Sequence, residues 1–237
     1  MQNLNNSNNS LQKVKEIAGK GYAEMHWDYY LLLEDDLQEI LEYIEPCNEN
    51  FQTFGPKLAK LLLSAGSEID VAFKDLIKIR DPKALSAHDT NANMNLYRKF
   101  AHDNLRREFY AVEIGIARSQ YACTPWDTWW DFSEEGDPIP KDNALPWWTA
   151  YNNVKHHRTE NYNQATLGNV LEAMAALFML IGSIARAEKR FDGYRIPKIL
   201  LYCDSSLGRI WTSRFEDGAI IMGDAPSFRF EPLNLAL

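Results

Sequence analysis

Two segments in the first third of the chain place apolar residues three or four positions apart. In the first segment these residues are Tyr30, Leu33, Leu37, Ile40 and Ile44. In the second they are Leu58, Leu62, Ala65, Ile69, Ala72 and Leu76. The spacing predicts an amphipathic helix that ends near Pro46 with an acidic outer face, and a second helix that begins at Pro56 and continues to about Ile79.

Glu68 falls at the edge of the second apolar stripe, near Asp75 on the same helix. A carboxylate at such a position can be partly buried and face a neighbouring helix. The alternative is a boundary residue whose charged end stays in water. We include Glu68 among the predicted substrate-binding residues.

A third segment, residues 167–184, is apolar on nearly every face and predicts the central helix of the core. A membrane span is the competing interpretation. Glu172 and Arg186 limit the uncharged run to thirteen residues. Because a bilayer requires about 20 residues, we predict a core helix and no membrane contact.

The remaining elements are shorter. Asp89, Thr90 or Asn91 is expected to cap a helix over residues 94–101, and the alternating residues 110–117 predict a strand. Residues 199–203 also predict a strand. The dipeptide Asp217-Gly218 separates two strand-like runs, residues 210–215 and 219–222, which predicts a C-terminal β-hairpin.

These elements predict a mainly α single domain over residues 11–237, after a polar lead of residues 1–10 that we expect to be disordered. The bundle core is assigned to residues 28–80 and 146–190. A small strand-bearing insert occupies residues 108–145. It is rich in tryptophan, with Trp126, Trp129 and Trp130. The C-terminal hairpin region covers residues 199–230.

Charge and cysteine content restrict the location and the partners. The net charge of −8 argues against general binding to nucleic acid, which requires a clustered positive potential. Residues 24–75 hold twelve Asp and Glu against three Lys, however, so the rest of the chain is nearly neutral and residues 141–214 are locally basic. The three cysteines show no disulfide or zinc spacing, and the first residues resemble no signal peptide. We predict a cytoplasmic protein without cofactor or metal.

Residues 146–158 combine aromatic, amide and basic side chains in one short helical segment that leads into the core helix. On a helical wheel its aromatic and apolar residues form one stripe, which we expect to face the bundle. The residues of this stripe are Trp147, Trp148, Tyr151 and Val154. We expect this segment to carry the function.

His156 falls on the side of the wheel opposite the core-facing stripe, with Asn152 one turn before it. A histidine directed away from the core beside amide groups is a candidate general acid or base near neutral pH. A plain surface histidine is the alternative interpretation. On a continuous helix Arg158 falls on the core-facing side, so Lys155 is the better placed cation.

Two other kinds of site are excluded by spacing. A ferritin-like di-metal bundle requires a Glu three residues before a His, and none of the five histidines has one. A serine or cysteine hydrolase requires a nucleophile on a strained turn, but the chain has no G-x-S-x-G motif. Phosphoryl transfer on RNA needs a histidine, phosphate-binding groups and stacking aromatics, and all of these lie close to His156.

Three segments, LLLSAGSEIDVAFKDL, WWTAYNNVKHHR and ATLGNVLEAMAALFML, occur in this order with a Trp-rich loop between the first two. Together they resemble bacterial proteins with a HEPN-like helical bundle, over roughly residues 27–187. The resemblance implies an all-α, often dimeric protein. HEPN proteins include metal-independent ribonucleases of toxin and phage-defence systems, and also inactive binding members.

The HEPN motif is an Arg, four to six intervening residues and a His, often with a polar residue after the Arg. His156 matches its His and Asn152 its polar position. The positions available for the Arg hold Thr149, Ala150 and Tyr151 instead. The resemblance therefore supports the fold more than the catalysis.

Two hypotheses follow from the sequence. The first is a ribonuclease of a defence or toxin-antitoxin system, in which His156 moves a proton of the RNA 2′-hydroxyl and Asn152 and Lys155 hold the phosphate. The other predicted substrate-binding residues are His157, Arg158, Trp148 and Tyr151. The second is a non-catalytic module that binds a protein or nucleotide partner. We also predict a homodimer with residues 146–158 at or beside the interface, and a monomer would favour the second hypothesis.

Overall fold

The computed structural model describes residues 19–86, 93–110, 112–117, 119–130, 145–189, 198–204, 214–216, 219–221 and 231–232. Within these ranges the protein is mainly helical, as the apolar periodicity predicts. The helices are α1 (Tyr22–Leu41), α2 (Pro56–Arg80), α3 (Pro82–Ser86), α4 (Met94–Asn104), α5 (Arg106–Phe109), α6 (Pro146–His156), α7 (Arg158–Asn161) and α8 (Leu167–Glu188). The strands are β1 (Val112–Ile116), β2 (Tyr121–Cys123), β3 (Leu200–Asp204), β4 (Arg214–Glu216), β5 (Ala219–Ile221) and β6 (Glu231–Pro232).

Helix α8 lies at the centre and packs against α1, α2 and α6. It is long and apolar enough to cross a membrane by length and composition alone, but 83% of its most apolar window is buried inside the protein. Its last residue, Glu188, accepts hydrogen bonds from the backbone N–H groups of Tyr22 and Ala23, each at 3.1 Å. Since the first N–H groups of a helix have no partner within that helix, Glu188 caps α1 and joins the ends of two core helices.

The outer face of α1 is acidic, but lysines from other elements lie against it. Lys60 of α2 contacts Asp36 at 2.8 Å, and Lys198 contacts Asp35 at 2.7 Å. Lys57 contacts Glu39. Such exposed pairs stabilise a protein by at most about 1 kcal/mol each, but they offset much of the charge that the sequence of α1 alone indicates.

The boundaries of α1 and α4 differ from the sequence prediction, and α1 ends at Leu41 instead of near Pro46. Helix α1 begins at Tyr22, well before the predicted stripe, because the buried residues Tyr22, His26 and Trp27 continue that stripe toward the N-terminus. Helix α4 is capped by Asn93, whose side-chain oxygen accepts hydrogen bonds from the N–H groups of Asn95 and Leu96. The predicted caps at positions 89–91 lie outside the described residues.

The strands form a small sheet with the order β3-β1-β2-β6, in which β1 is antiparallel to both β2 and β3. A buried carboxylate connects the sheet to the bundle: Glu34 of α1 accepts hydrogen bonds from the N–H groups of Lys198 and Ile199 at 2.8 and 2.9 Å, just before β3. Strands β4 and β5 pair antiparallel. Residues 217–218, the predicted turn between them, lie outside the described residues, so the hairpin remains a prediction.

The described part of the Trp-rich insert packs as a buried aromatic cluster against α2. Trp126 is stacked on Phe109 with a centroid distance of 4.8 Å and lies edge-on to Phe73 at 5.5 Å. It also contacts Trp147 of α6 at 5.4 Å. Aromatic pairs with these geometries add to the stabilisation that burial already supplies. The cluster therefore fixes the start of α6 against the rest of the core.

Candidate functional site

The apolar face of α6 is buried as the helical wheel predicts. Pro146 occupies the first turn, where a missing N–H costs nothing. The indole N–H of Trp147 donates a hydrogen bond to the carbonyl of Pro125 at 2.8 Å, and Val154 is fully buried. Tyr151 packs against Gly66 of α2. The predicted site is therefore presented by a helix held along its whole length.

The opposite face of α6 is open to solvent. His156 and Lys155 are exposed, and Asn152, one turn before His156, is half-buried. Within the described part of the chain, no side chain or backbone group is hydrogen-bonded to the His156 ring. Among the described residues no carboxylate or amide orients this ring, so its exposure agrees equally with the surface interpretation.

Helix α6 ends at His156, and this changes the position of Arg158. His157 has φ −139° and ψ 50°, outside the helical region, and its N–H closes the helix by donating to the Asn153 carbonyl at 2.8 Å. Arg158 then begins the separate turn α7 and is exposed. A wheel drawn through a continuous helix places Arg158 on the core-facing side, but the break at His157 leaves its side chain exposed.

Four consecutive residues with basic side chains are thus exposed where α6 meets α7. They are Lys155, His156, His157 and Arg158, and we call them the basic turn. The two imidazole rings lie 6.5 Å apart between centroids. Nζ of Lys155 lies 5.2 Å from the centroid of the Tyr151 ring, a cation–π distance. The basic turn is the local positive region that the charge distribution of the sequence indicates.

A chain of amide side chains braces the basic turn. The Asn153 side-chain amide donates to Gln164 at 2.9 Å, and the Gln164 amide donates to Asn161 at 2.9 Å. The Asn161 amide in turn donates to the backbone carbonyl of His157 at 3.1 Å. These bonds fix the break in the helix from the side facing α8. The basic side chains therefore project from an ordered backbone.

Two aromatic residues predicted to bind substrate face the protein instead of solvent. Tyr151 is 3% exposed, with its ring against α2. Trp148 is half-buried between Trp147 and Tyr151, at centroid distances of 5.8 and 4.7 Å. A base stacks on an open ring face, and Tyr151 has none. The assignment of Tyr151 to substrate stacking is therefore corrected to core packing.

Glu68 lies on a different side of α2 from the contact with α6. Gly66 faces Tyr151, and Glu68 follows it by two residues, about 200° around a helix. Its Oε1 lies 2.5 Å from Nδ1 of His26 on α1, and its side chain is 17% exposed. Its placement at the edge of the stripe was predicted correctly, but its role is an ion pair between α1 and α2.

His26, a residue not predicted from the sequence, is 4% exposed and lies between two carboxylates. Besides Glu68, it contacts Asp75 through Nε2 at 3.2 Å, and Asp75 also pairs with Lys78 at 3.2 Å. Burial alone lowers the pKa of His26, but hydrogen bonds to Asp75 and Glu68 outweigh it and raise the pKa to about 9. The ring is therefore a cation at neutral pH. The detectable signal is its position four residues before Tyr30, in line with the apolar stripe of α1.

Glu172 of α8 is a second buried ionisable group. Burial raises the pKa of this carboxyl to about 8, against the opposing effect of a hydrogen bond from the Thr124 N–H, and the nearby Asp127 raises it further. Within the described residues its Oε2 has no hydrogen-bond partner. Glu172 is consequently mostly protonated at neutral pH. It lies within the core and not on the surface of the basic turn.

The described residues contain no cluster of three or more His, Cys, Asp or Glu side chains arranged to hold a metal ion. The side chains of the basic turn can transfer a proton through imidazole and bind an anion through ammonium and guanidinium groups. The chain matches no family model, no curated protein and no solved structure.

Proposed function

We propose that the protein is a HEPN-like, metal-independent ribonuclease whose phosphate-binding site is the basic turn. One observation carries the proposal. Helix α6 ends at His156, so that Lys155, His156 and Arg158 are exposed together on a backbone that the core and the amide side chains hold in place. A phosphodiester is the ligand that suits adjacent ammonium, imidazole and guanidinium groups.

In the proposed reaction, the imidazole of His156 accepts the proton of an RNA 2′-hydroxyl. The 2′-oxygen forms a bond to phosphorus, the bond to the 5′-oxygen of the next nucleotide breaks, and that oxygen takes a proton from solvent water as it leaves. Lys155 and Asn152 hold the phosphate oxygens. The motif lacks an arginine at positions 149–151. Arg158, which is exposed because α6 ends before it, provides the missing cation.

The wider assignment follows the same resemblance. The packing of α1, α2 and α6 around α8 is compatible with a HEPN-like bundle, and the antiparallel pairing of β4 with β5 is compatible with a C-terminal hairpin. We infer a cytoplasmic protein of a toxin-antitoxin or phage-defence system, which is the setting of the ribonucleases that the sequence resembles.

Cleavage of total RNA in EDTA tests the proposal directly. We expect wild-type protein to produce discrete fragments, His156→Ala to produce none, and Arg158→Ala to cleave at least ten-fold more slowly, in the range for loss of a charge-stabilising group. Lys99→Ala removes an exposed cation from α4 and is the matched control, with unchanged cleavage expected. Equal activity of wild type and His156→Ala would contradict the assignment.

A non-catalytic module that binds a protein or nucleotide partner through the same surface is the second candidate. It is favoured by the exposed ring of His156, which no described group orients, and by the absence of an Arg from positions 149–151. In that case RNA or nucleotide binding without cleavage is expected. Binding would weaken with salt, and Arg158→Ala would lower the slope of log affinity against log salt by about 1.

A further inference from the structure

Phe54 is an exposed aromatic residue close to the basic turn. Phe54 lies in the short connection between α1 and α2. It is 48% exposed to solvent. Its ring lies 5.7 Å from that of Tyr162, edge to face at 90°. One ring therefore supports the other and leaves a large part of Phe54 open to solvent.

The backbone around Phe54 is fixed to the start of α8. The carbonyl of Thr53 accepts a hydrogen bond from the N–H of Leu167 at 2.8 Å, and the carbonyl of Phe51 accepts one from Gly168 at 3.0 Å. Phe54 itself forms a β-bridge with Thr166. Two of the first N–H groups of α8 are thus satisfied by this connection. The exposed ring is therefore carried on an ordered backbone.

Tyr162 links Phe54 to the basic turn. It follows Arg158 by four residues and begins the short 3₁₀ turn Tyr162–Gln164, which packs against both α6 and α7. Phe54 is therefore joined, through the ring of Tyr162, to the segment that directly follows α7. The open aromatic ring and the exposed cation Arg158 are thus carried on neighbouring segments.

We propose that Phe54 and Tyr162 form a stacking site for one base of single-stranded RNA, whose adjoining phosphate binds the basic turn. This inference rests on the phosphate site of the proposed function. A cation beside an aromatic ring matches the charged backbone and flat base of one nucleotide. Bases in a duplex are stacked on each other and do not offer a free face, so single strands and loops are the expected ligands.

The proposal also accounts for the base contact that the sequence assigned to residues of α6. Tyr151 is buried against α2 and Trp148 packs between two aromatic neighbours. Phe54 precedes Lys155 by 101 residues in the sequence, and only the fold brings its ring against Tyr162, just after α7. Its ring is more exposed than the aromatic residues of α6.

The test compares two synthetic ligands on the full-length wild-type protein. One is an eight-residue 2′-O-methyl RNA of mixed sequence, which has no free 2′-hydroxyl and so is not cleaved. The other has the same backbone with abasic sites throughout. We expect the base-bearing ligand to bind about ten-fold more tightly, a typical effect of one stacked base. Equal affinities would overturn the stacking site while leaving the phosphate site intact.

Two variants localise the effect. Phe54→Leu keeps an apolar side chain against Tyr162 but removes the ring, and we expect it to bind both ligands equally, with the affinity for the abasic ligand unchanged. Phe54→Trp keeps a ring and should keep the preference. A preference that persists in Phe54→Leu would overturn the proposal, as would an equal loss of affinity for both ligands.

A probe on the wild-type protein makes the test independent of any effect of these variants on folding. A 2-aminopurine placed in the same 2′-O-methyl ligand should lose fluorescence on binding, because stacking on an aromatic ring quenches it. Unchanged fluorescence in a bound complex would contradict stacking. Cleavage of unmodified RNA by wild type and His156→Ala reports the proposed function separately, so either idea can fail alone.

Discussion

Gly66 of α2 lies directly against the ring of Tyr151 of α6. A Cβ atom at position 66 would be 2.6 Å from Cγ of Tyr151 and closer still to Cδ2, whereas Cβ atoms do not approach other atoms closer than about 3 Å. The missing side chain therefore allows α6 to approach α2. Through this contact, the basic turn at the end of α6 depends on a residue far from it in sequence.

Gly66→Ala is expected to destabilise the protein, although alanine is normally the better residue in a helix by about 1 kcal/mol. The added methyl group must displace the buried ring of Tyr151, and overpacking of this kind costs about 1–3 kcal/mol. Urea unfolding measures the change. Gly182→Ala in α8 is the matched control, because a Cβ there meets no atom within 4 Å and a gain in stability is expected. Equal effects of the two substitutions would contradict the close contact.

Because of His26, the free energy of unfolding should fall as the pH becomes alkaline. Its pKa in the folded protein, about 9, exceeds the usual value of 6.5, so its contribution is complete below about pH 6.5 and is lost as the pH rises through 9. Full loss amounts to roughly 3 kcal/mol. His26→Gln should be less stable than wild type at pH 6, with a smaller deficit at pH 9.5, in urea unfolding at both values.

Substitution of the two carboxylates beside His26 tests whether they are the cause of its raised pKa. In the double variant Glu68→Gln and Asp75→Asn, the imidazole loses both charged partners, and only burial remains to shift its pKa. Its titration, followed by NMR, should then move to a lower pH than in wild type. An unchanged titration would show that the ion pairs do not hold the proton.

The periodicity of apolar residues was sufficient to predict that the long helices exist, and proline marked the starts of α2 and α6, whereas the start of α1 at Tyr22 was missed. The break at His157 could not be predicted, because neither glycine nor proline marks it. The break is held by side chains that follow it in the sequence. Asn161 donates a hydrogen bond to the His157 carbonyl, and Gln164 donates one to Asn161. A wheel drawn through such a break assigns the wrong face to every later residue, as it did for Arg158.

The partners of individual residues could not be predicted either where they are far apart in the sequence. Glu68 was correctly placed at the edge of a stripe, but nothing local in the sequence indicates His26, 42 residues earlier, as its partner. No pattern of apolar residues in the connection between α1 and α2 indicates where Phe54 lies. The bridge to Thr166 and the ring contact with Tyr162 show that it lies at the start of α8.

Ionisation of the buried Glu172 carboxyl should lower the free energy of unfolding as the pH rises. Its folded-state pKa of about 8 exceeds the usual value of 4.5, so the stability present below about pH 4.5 is lost as the pH rises through 8. Glu172→Met removes the buried charge and should be more stable than wild type at pH 8, by about 2–4 kcal/mol, with a smaller difference at pH 5. Thermal unfolding at both values measures this. Glu42→Met, at an exposed position, should show no such pH dependence.

The last prediction concerns oligomeric state and decides between the two candidate functions. His156 is exposed in the single chain, and proton transfer to a substrate is weak where water surrounds the catalytic group. A two-fold interface beside α6 would bring two basic turns into one cleft and exclude water from both. We therefore expect light scattering at micromolar concentration to report a dimer, twice the chain mass of 27.3 kDa. Lys155→Glu reverses a charge within the basic turn and should abolish cleavage, whereas Lys99→Glu on α4 should leave cleavage unchanged. A monomeric wild-type protein would leave His156 in open solvent, and the binding module would then be the better account of the basic turn.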